Sequence, residues 1–236
     1  MSETIILDKN GRNNCLYTSW TSKLSCGWEI AETYDLEWRP PCECRLVVTA
    51  QHYQAPEVPL LIRCMAEGIP VLVIADGILE YRNTWLRPDT PNGCIFQPVV
   101  GHKIAVIGRS QARILESWGN AGRCEVVGVP RFDGLLNRKA RTRSSSTSFR
   151  ILVMTAKTPG FTKDQLGEVV AGLGSLKRWF ALNPLLDGVK VEPVWRVAVT
   201  MAEQLGICTD TTTELAELLS DVDAVISTPS TAMLEA

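Results

Sequence analysis

No sign of charge dominates this sequence. Its 24 Lys and Arg nearly balance 26 Asp and Glu, for a formal net charge of −2. A protein that grips nucleic acid or an anionic membrane through bulk charge is thereby excluded. No apolar run approaches the ~20 residues that span a bilayer. The first residues, MSETIILDKNG, lack a basic stretch followed by an apolar core, so no signal peptide is expected and a cytoplasmic location is the default. Histidine is scarce, with His52 and His102 alone, and no D-x-D pair accompanies the scattered carboxylates, so no metal site is expected. Eight cysteines are present, but only Cys42 and Cys44 stand close together. C-x-C without a second close pair is a poor zinc pattern, and reduced, partly buried thiols are the expectation.

What is present is the composition of a globular protein, 45% hydrophobic and 21% charged in 236 residues. That length buries a real core as one large or two small domains. Residues up to about Pro41 are irregular. Glu3 to Leu7 reads as a short strand, and Trp20, Trp28 and Trp38 are expected as apolar anchors. From Arg45 the pattern turns regular. RLVVTA, VLVIADG, HKIAVIG and CEVVGVP are apolar runs of buried-strand type, and helical patterns ending at Gly68 and Gly119 fall between them. After a basic, serine-rich stretch, FRILVMTA and VKVEPVW follow as strands. They alternate with a long helix from FTKDQL, a short one in VAVTMAEQLG, and one in TTTELAELLSDV with Thr211 to Thr213 as caps. Strands alternating with helices predict an α/β protein of two Rossmann-like, doubly wound parallel-sheet domains. The boundaries read as 1–138, a linker at 139–148, and 149–236.

The chain closes on DVDAVISTPSTAMLEA. Ala224-Val225-Ile226 is a strand run, Ser227 to Ser230 a small hydroxyl-rich loop, and Thr231 onward the opening of a helix. Exposed N–H groups and about half a positive charge at a helix start favour a bound phosphate. An ordinary capped strand–helix junction has the same appearance, and the glycines of a dinucleotide loop are missing. The final helix is cut after fewer than two turns, so the second domain is expected to be incomplete. The segment resembles the donor-binding loop of GT-B glycosyltransferases and their relatives, including CDP-glycerol glycerophosphotransferases and non-hydrolysing UDP-sugar epimerases. The resemblance implies that Ser227, Thr228, Ser230 and Thr231 reach a nucleotide diphosphate and that Glu235 reaches the ribose. VVGVPRFDGL resembles the G-x-P-x-x-D segment that ends the first domain in these relatives, with Pro130, Arg131 and Asp133 in its places.

Ligands of open parallel sheets sit at the carboxyl ends of the strands. That rule nominates His52 after the first regular run, Asp76, Glu80 and Arg82 after the second, and Arg109 after the third. In the second domain it nominates Thr155, Lys157 and Thr158 beside the terminal loop. Asp76 and His52 are the candidate general bases for taking a proton from an acceptor hydroxyl. Asp76-Gly77 reads equally as a turn, and His52 as a core histidine. In the relatives a His-Gly often stands where Asp76-Gly77 stands here. Glu80, Arg82 and Arg109 are the acceptor-side candidates, and Lys157 and Arg109 are placed to neutralise a leaving diphosphate. The expectation is a transferase that moves a sugar or glycerophosphate from a UDP- or CDP-type donor to a cell-surface polysaccharide or lipid-linked acceptor. It needs no cofactor beyond the donor, binds no nucleic acid, and leaves peripheral membrane association and oligomeric state open. A UDP-N-acetylglucosamine 2-epimerase and a non-catalytic nucleotide-sugar-binding remnant are the alternatives.

Overall fold

The computed structural model describes residues 2–11, 14–53, 56–79, 95–135, 148–156, 162–234 and 236. The chain divides into two compact units, Met1–Leu136 and Asn137–Ala236. Among the described residues no helix is long and apolar enough to cross a membrane.

Unit 1 contains, in chain order, β1 (Thr4–Leu7), α1 (Asn14–Thr21), β2 (Trp28–Ala31), β3 (Leu46–Thr49), α2 (Glu57–Ala66), β4 (Val71–Ile74), β5 (Lys103–Val106), α3 (Arg109–Leu115) and β6 (Cys124–Val126). The six strands form one sheet in the order β2-β1-β3-β4-β5-β6, every pairing parallel. Alternate residues of a strand face opposite sides. Ile5, Leu7, Val47 and Val71 therefore pack under α2, while Ile6, Val48 and Ala50 pack on the α1 side with Tyr17. The irregular amino-terminal stretch thus supplies β1, an interior strand whose four residues are all buried. It also supplies edge strand β2, which leaves Trp28 38% exposed, while Trp20 and Trp38 are partly buried against the two cores. α2 stops at Gly68, whose φ of 79° is the left-handed conformation a helix end favours and glycine adopts without strain.

Unit 2 contains β7 (Ser148–Met154), α4 (Lys163–Leu182), β8 (Leu185–Leu186), β9 (Val189–Arg196), α5 (Val199–Leu205), α6 (Leu215–Ser220) and β10 (Ala224–Ser227). The sheet order is β10-β7-β9-β8. β7 pairs in parallel with both β10 and β9, and the two-residue β8 folds back antiparallel on β9. Val153, Leu173, Phe180, Val191 and Met201 fill the core under α4 and α5, and Leu152, Met154 and Leu218 fill the opposite side under α6. The Thr162 hydroxyl caps α4 by accepting from Gln165 N–H at 3.2 Å. Arg150 pairs with Asp221, and its N–H donates to Asp223 Oδ2 at 2.8 Å, which fastens β7 to the lead-in of β10.

Both units are α/β with Rossmann-like parallel pairing, as the alternation of patterns predicts. Two local expectations change. Thr211 to Thr213 do not cap α6, because the N–H and hydroxyl groups of Thr212 and Thr213 turn back to Asp210. The predicted terminal helix is a single 3-10 turn, Thr231–Leu234.

Candidate functional site

In an open parallel sheet the crevice for a ligand opens where successive connections leave on opposite faces, beside strands whose order reverses. In unit 2 that place lies between β7 and β10: the chain leaves β7 under α4 and returns to β10 from α6 on the other face. Thr155 follows β7, and Ser227 and Thr228 end β10, so three of the sequence-nominated donor residues meet here. The Thr228 hydroxyl accepts from Ala156 N–H at 2.9 Å, and Thr228 N–H donates to Met154 O at 3.2 Å. The Thr155 hydroxyl accepts from Ala198 N–H at 3.3 Å, joining the ends of β7 and β9. Ser227 instead turns its hydroxyl onto Thr228 O at 2.7 Å. A hydroxyl whose oxygen already accepts keeps its O–H as a donor. Among the described residues no acceptor takes up the O–H of Thr155 or of Thr228. Two donors at a strand rim suit an anion. Ser230 is half-buried just beyond, and its carbonyl accepts from Met233 N–H at 3.1 Å. Lys157, Thr158 and Glu235 lie outside the described residues, as does the side chain of Thr231.

One strand further along, an open groove of about 570 Å³ borders β9, with Trp195 and Ile207 as apolar wall and Thr209, Thr211 and Thr212 along the other side. Its loop is stiffened by Asp210. The carboxylate accepts from Thr213 N–H at 2.9 Å, the Thr213 hydroxyl at 2.7 Å and Thr212 N–H at 3.0 Å. Those bonds favour the ionised form and hold the carboxyl down at about 2. Asp210 N–H in turn donates to Trp195 O at 2.8 Å.

In unit 1 the order reverses between β1 and β3. Here, beside Gln51, which the strand-end rule nominates after the first regular run, the structure supplies residues that sequence reasoning missed. Lys9 follows β1, and its Nζ lies 5.8 Å from the centre of the Tyr34 ring. The Tyr34 hydroxyl donates to Glu57 Oε1 at 2.8 Å, and Glu57 is only 1% exposed at the start of α2. Burial, then the Glu57 carboxylate, push the Tyr34 phenol well above its ordinary range. Asp8, wholly buried, and Gln51 complete the rim, with Gln51 N–H donating to Thr49 Oγ1 at 2.9 Å. The turn after β1 uses Asn10 and Gly11, both at φ 63°, which Asn and Gly tolerate best. A strand run followed by Asp-Lys-Asn-Gly was the available signal.

Asp76 is exposed beyond β4, at the rim where the sequence places it. The backbone beside it is tied down by Gln111, 8% exposed on α3. Gln111 Nε2 donates to Gly77 O at 2.9 Å, and its Oε1 accepts from Ile107 N–H at 2.7 Å. The side chain thereby ties the ends of β4 and β5 together. Arg109 is exposed two residues earlier, at the start of the same helix. Glu80 and Arg82 lie outside the described residues.

His52 is a correction. Instead of joining Asp76 at the rim it is 1% exposed, turned inward against Phe96 and Tyr53 at ring separations of 5.1 and 5.5 Å. Its Nδ1 accepts from Val100 N–H at 3.5 Å, which puts the ring hydrogen on Nε2, an atom with no partner among the described residues. Burial opposes a charged imidazole and lowers its value to about 4. A ring enclosed in this way does not reach a solvated acceptor hydroxyl, so its role in the structure is that of a core histidine.

No family model matches the chain, and no curated protein matches it in sequence. Among solved structures it is similar to the UDP-GlcNAc 2-epimerase from Neisseria meningitidis bound to UDP-GlcNAc, with a TM-score of 0.47 and 11% identity over 97% of this chain and 72% of that one. A likeness at that level concerns the general run of the chain, and the chemistry of the site rests on the residues described above.

Proposed function

We propose that the chain uses a nucleotide-diphosphate donor, held at the β7–β10 rim of unit 2, to transfer a sugar or glycerophosphate to a hydroxyl acceptor. One observation carries the reading. Thr155 and Thr228 stand at the crevice-forming strand ends, each hydroxyl accepting one backbone N–H bond and keeping its O–H to donate. Such donors fit diphosphate oxygens better than a neutral ligand. The groove beside Trp195 has the size and mixed lining that a nucleobase and ribose require. In this reading Asp76 takes the proton from the acceptor hydroxyl with Arg109 on the acceptor side, and Lys157 stabilises the charge that develops on the departing diphosphate. Glu80 and Arg82 are assigned to the acceptor. The acceptor is a polysaccharide or lipid-linked polymer.

Calorimetric titration with UDP and CDP tests the donor site. Binding by the wild type that Thr228→Val weakens and Thr228→Ser retains supports the reading, because serine keeps the O–H. No binding of either nucleotide at millimolar concentration removes it. Product analysis with UDP-N-acetylglucosamine alone then separates transfer from epimerisation. Nucleotide binding without turnover of any donor assigns the chain to non-catalytic binding.

A further inference from the structure

The run VKVEPVW leads into Arg196, and the rule of carboxyl strand ends covers that residue as much as it covers Thr155. In the structure Arg196 is the last residue of β9. Register pairs it with Met154 of β7, and Met154 with Ser227 of β10, so the three form one row across the sheet. Met154 packs on the α6 side, and residues of one row on parallel strands face the same way. Arg196 and Ser227 therefore share the α6 side, one residue below Thr155 and Thr228. Thr155 N–H donates to Arg196 O at 3.2 Å, which fastens the ends of β7 and β9 together. Neighbouring strands lie about 4.8 Å apart, and an arginine side chain is long enough to cover the one spacing from β9 to β7, the near wall of the crevice.

The Arg196 side chain is half-buried, and its Nη1 donates to Thr213 O in the loop that opens α6. A guanidinium carries five N–H donors in a planar fork. Among the described residues Arg196 has no second hydrogen bond and no ion pair. The carboxylate of the same loop, Asp210, is taken up by Thr212 and Thr213. Arg150 on β7 shows the contrast, since it is half-buried too but pairs with Asp221. A charge drawn partly out of water is costly unless it is met. We propose that Arg196 is a cation of the donor site, its fork binding the diphosphate whose other oxygens take the O–H groups of Thr155 and Thr228. This deepens the nucleotide-diphosphate reading and rests on it. The fork matches two oxygens of a phosphate, which a neutral nucleoside does not offer. Thr213 O already orients the side chain, so little of its freedom is left to lose on binding.

Calorimetry of the full chain with UDP, CDP and inorganic pyrophosphate, and saturation-transfer NMR with the matching nucleosides, tests the assignment. Arg196→Gln keeps an N–H for Thr213 O and removes the charge. It should weaken the nucleoside diphosphate and pyrophosphate about tenfold to a hundredfold. Arg196→Lys keeps the charge without the fork and should fall between the variant and the wild type. Binding of uridine or cytidine should be the same in all three proteins, because the groove beside Trp195 is untouched. An Arg196→Gln protein that holds the diphosphate as tightly as the wild type overturns the assignment and leaves the donor reading standing. Equal losses of diphosphate and nucleoside also overturn it, since Arg196 would then act only through the fold of its loop. A wild type that binds neither UDP nor CDP removes both readings together.

Discussion

His52 is the sharpest place to test the packing of unit 1, because burial there converts into a pH dependence of stability. The folded value is about 4 against an ordinary 6.5, with burial as the first cause. Between those values the unfolded chain binds a proton that the folded chain refuses, so stability falls as pH falls from about 6.5 towards 4. The sign is that of a depressed base: nothing is lost above the unfolded value, and the loss is complete below the folded one. The full penalty is about 3 kcal/mol, of which about 2 kcal/mol appears between pH 7 and pH 5. His52→Gln keeps an acceptor for Val100 N–H but does not titrate. Urea unfolding of both proteins at several pH values isolates the term, because every other carboxylate and histidine is common to the two. The expected result is a wild-type stability that drops about 2 kcal/mol further than that of the variant over this window. Parallel pH profiles would refute the burial argument and return His52 to the exposed rim.

Gln111→Ala removes the link between Gly77 O and Ile107 N–H, and should cost about 1–2 kcal/mol while speeding hydrogen exchange at Ile107. Gln111→Glu keeps the acceptor for Ile107 and places a carboxylate against Gly77 O, so it should cost stability in the urea assay while exchange at Ile107 stays slow. Gly101→Ala would set a Cβ 2.8 Å from Val73 Cγ2 and 3.4 Å from Val71 O. That contact cannot be met without moving β4 or its neighbour, and a loss of about 1–3 kcal/mol in the same urea assay is expected.

Most elements were legible in the sequence because their causes are local. The four runs RLVVTA, VLVIADG, HKIAVIG and CEVVGVP became β3 to β6, and glycines ended α2 and the helical stretch after β5 where the left-handed conformation requires them. The rule that ligands gather at carboxyl strand ends nominates Thr155, Ser227 and Thr228 from their positions in the chain, and the structure sets them at the ends of the neighbouring strands β7 and β10. Strand order was not legible. Placing β1 between β2 and β3 depends on which buried faces match across the sheet, and that order decides where the crevice opens and makes Lys9, Tyr34 and Glu57 part of it. Which way a side chain turns was equally hidden. His52 and Asp76 both follow apolar strands, yet packing against Phe96 draws one inward while the other stays in water. Local pattern decides whether a stretch is strand or helix, because backbone hydrogen bonding and side-chain period act within a few residues. The chemistry of a rim depends on contacts between residues far apart in the chain, such as Ala156 with Thr228 and Gly77 with Gln111, and only the folded structure makes them.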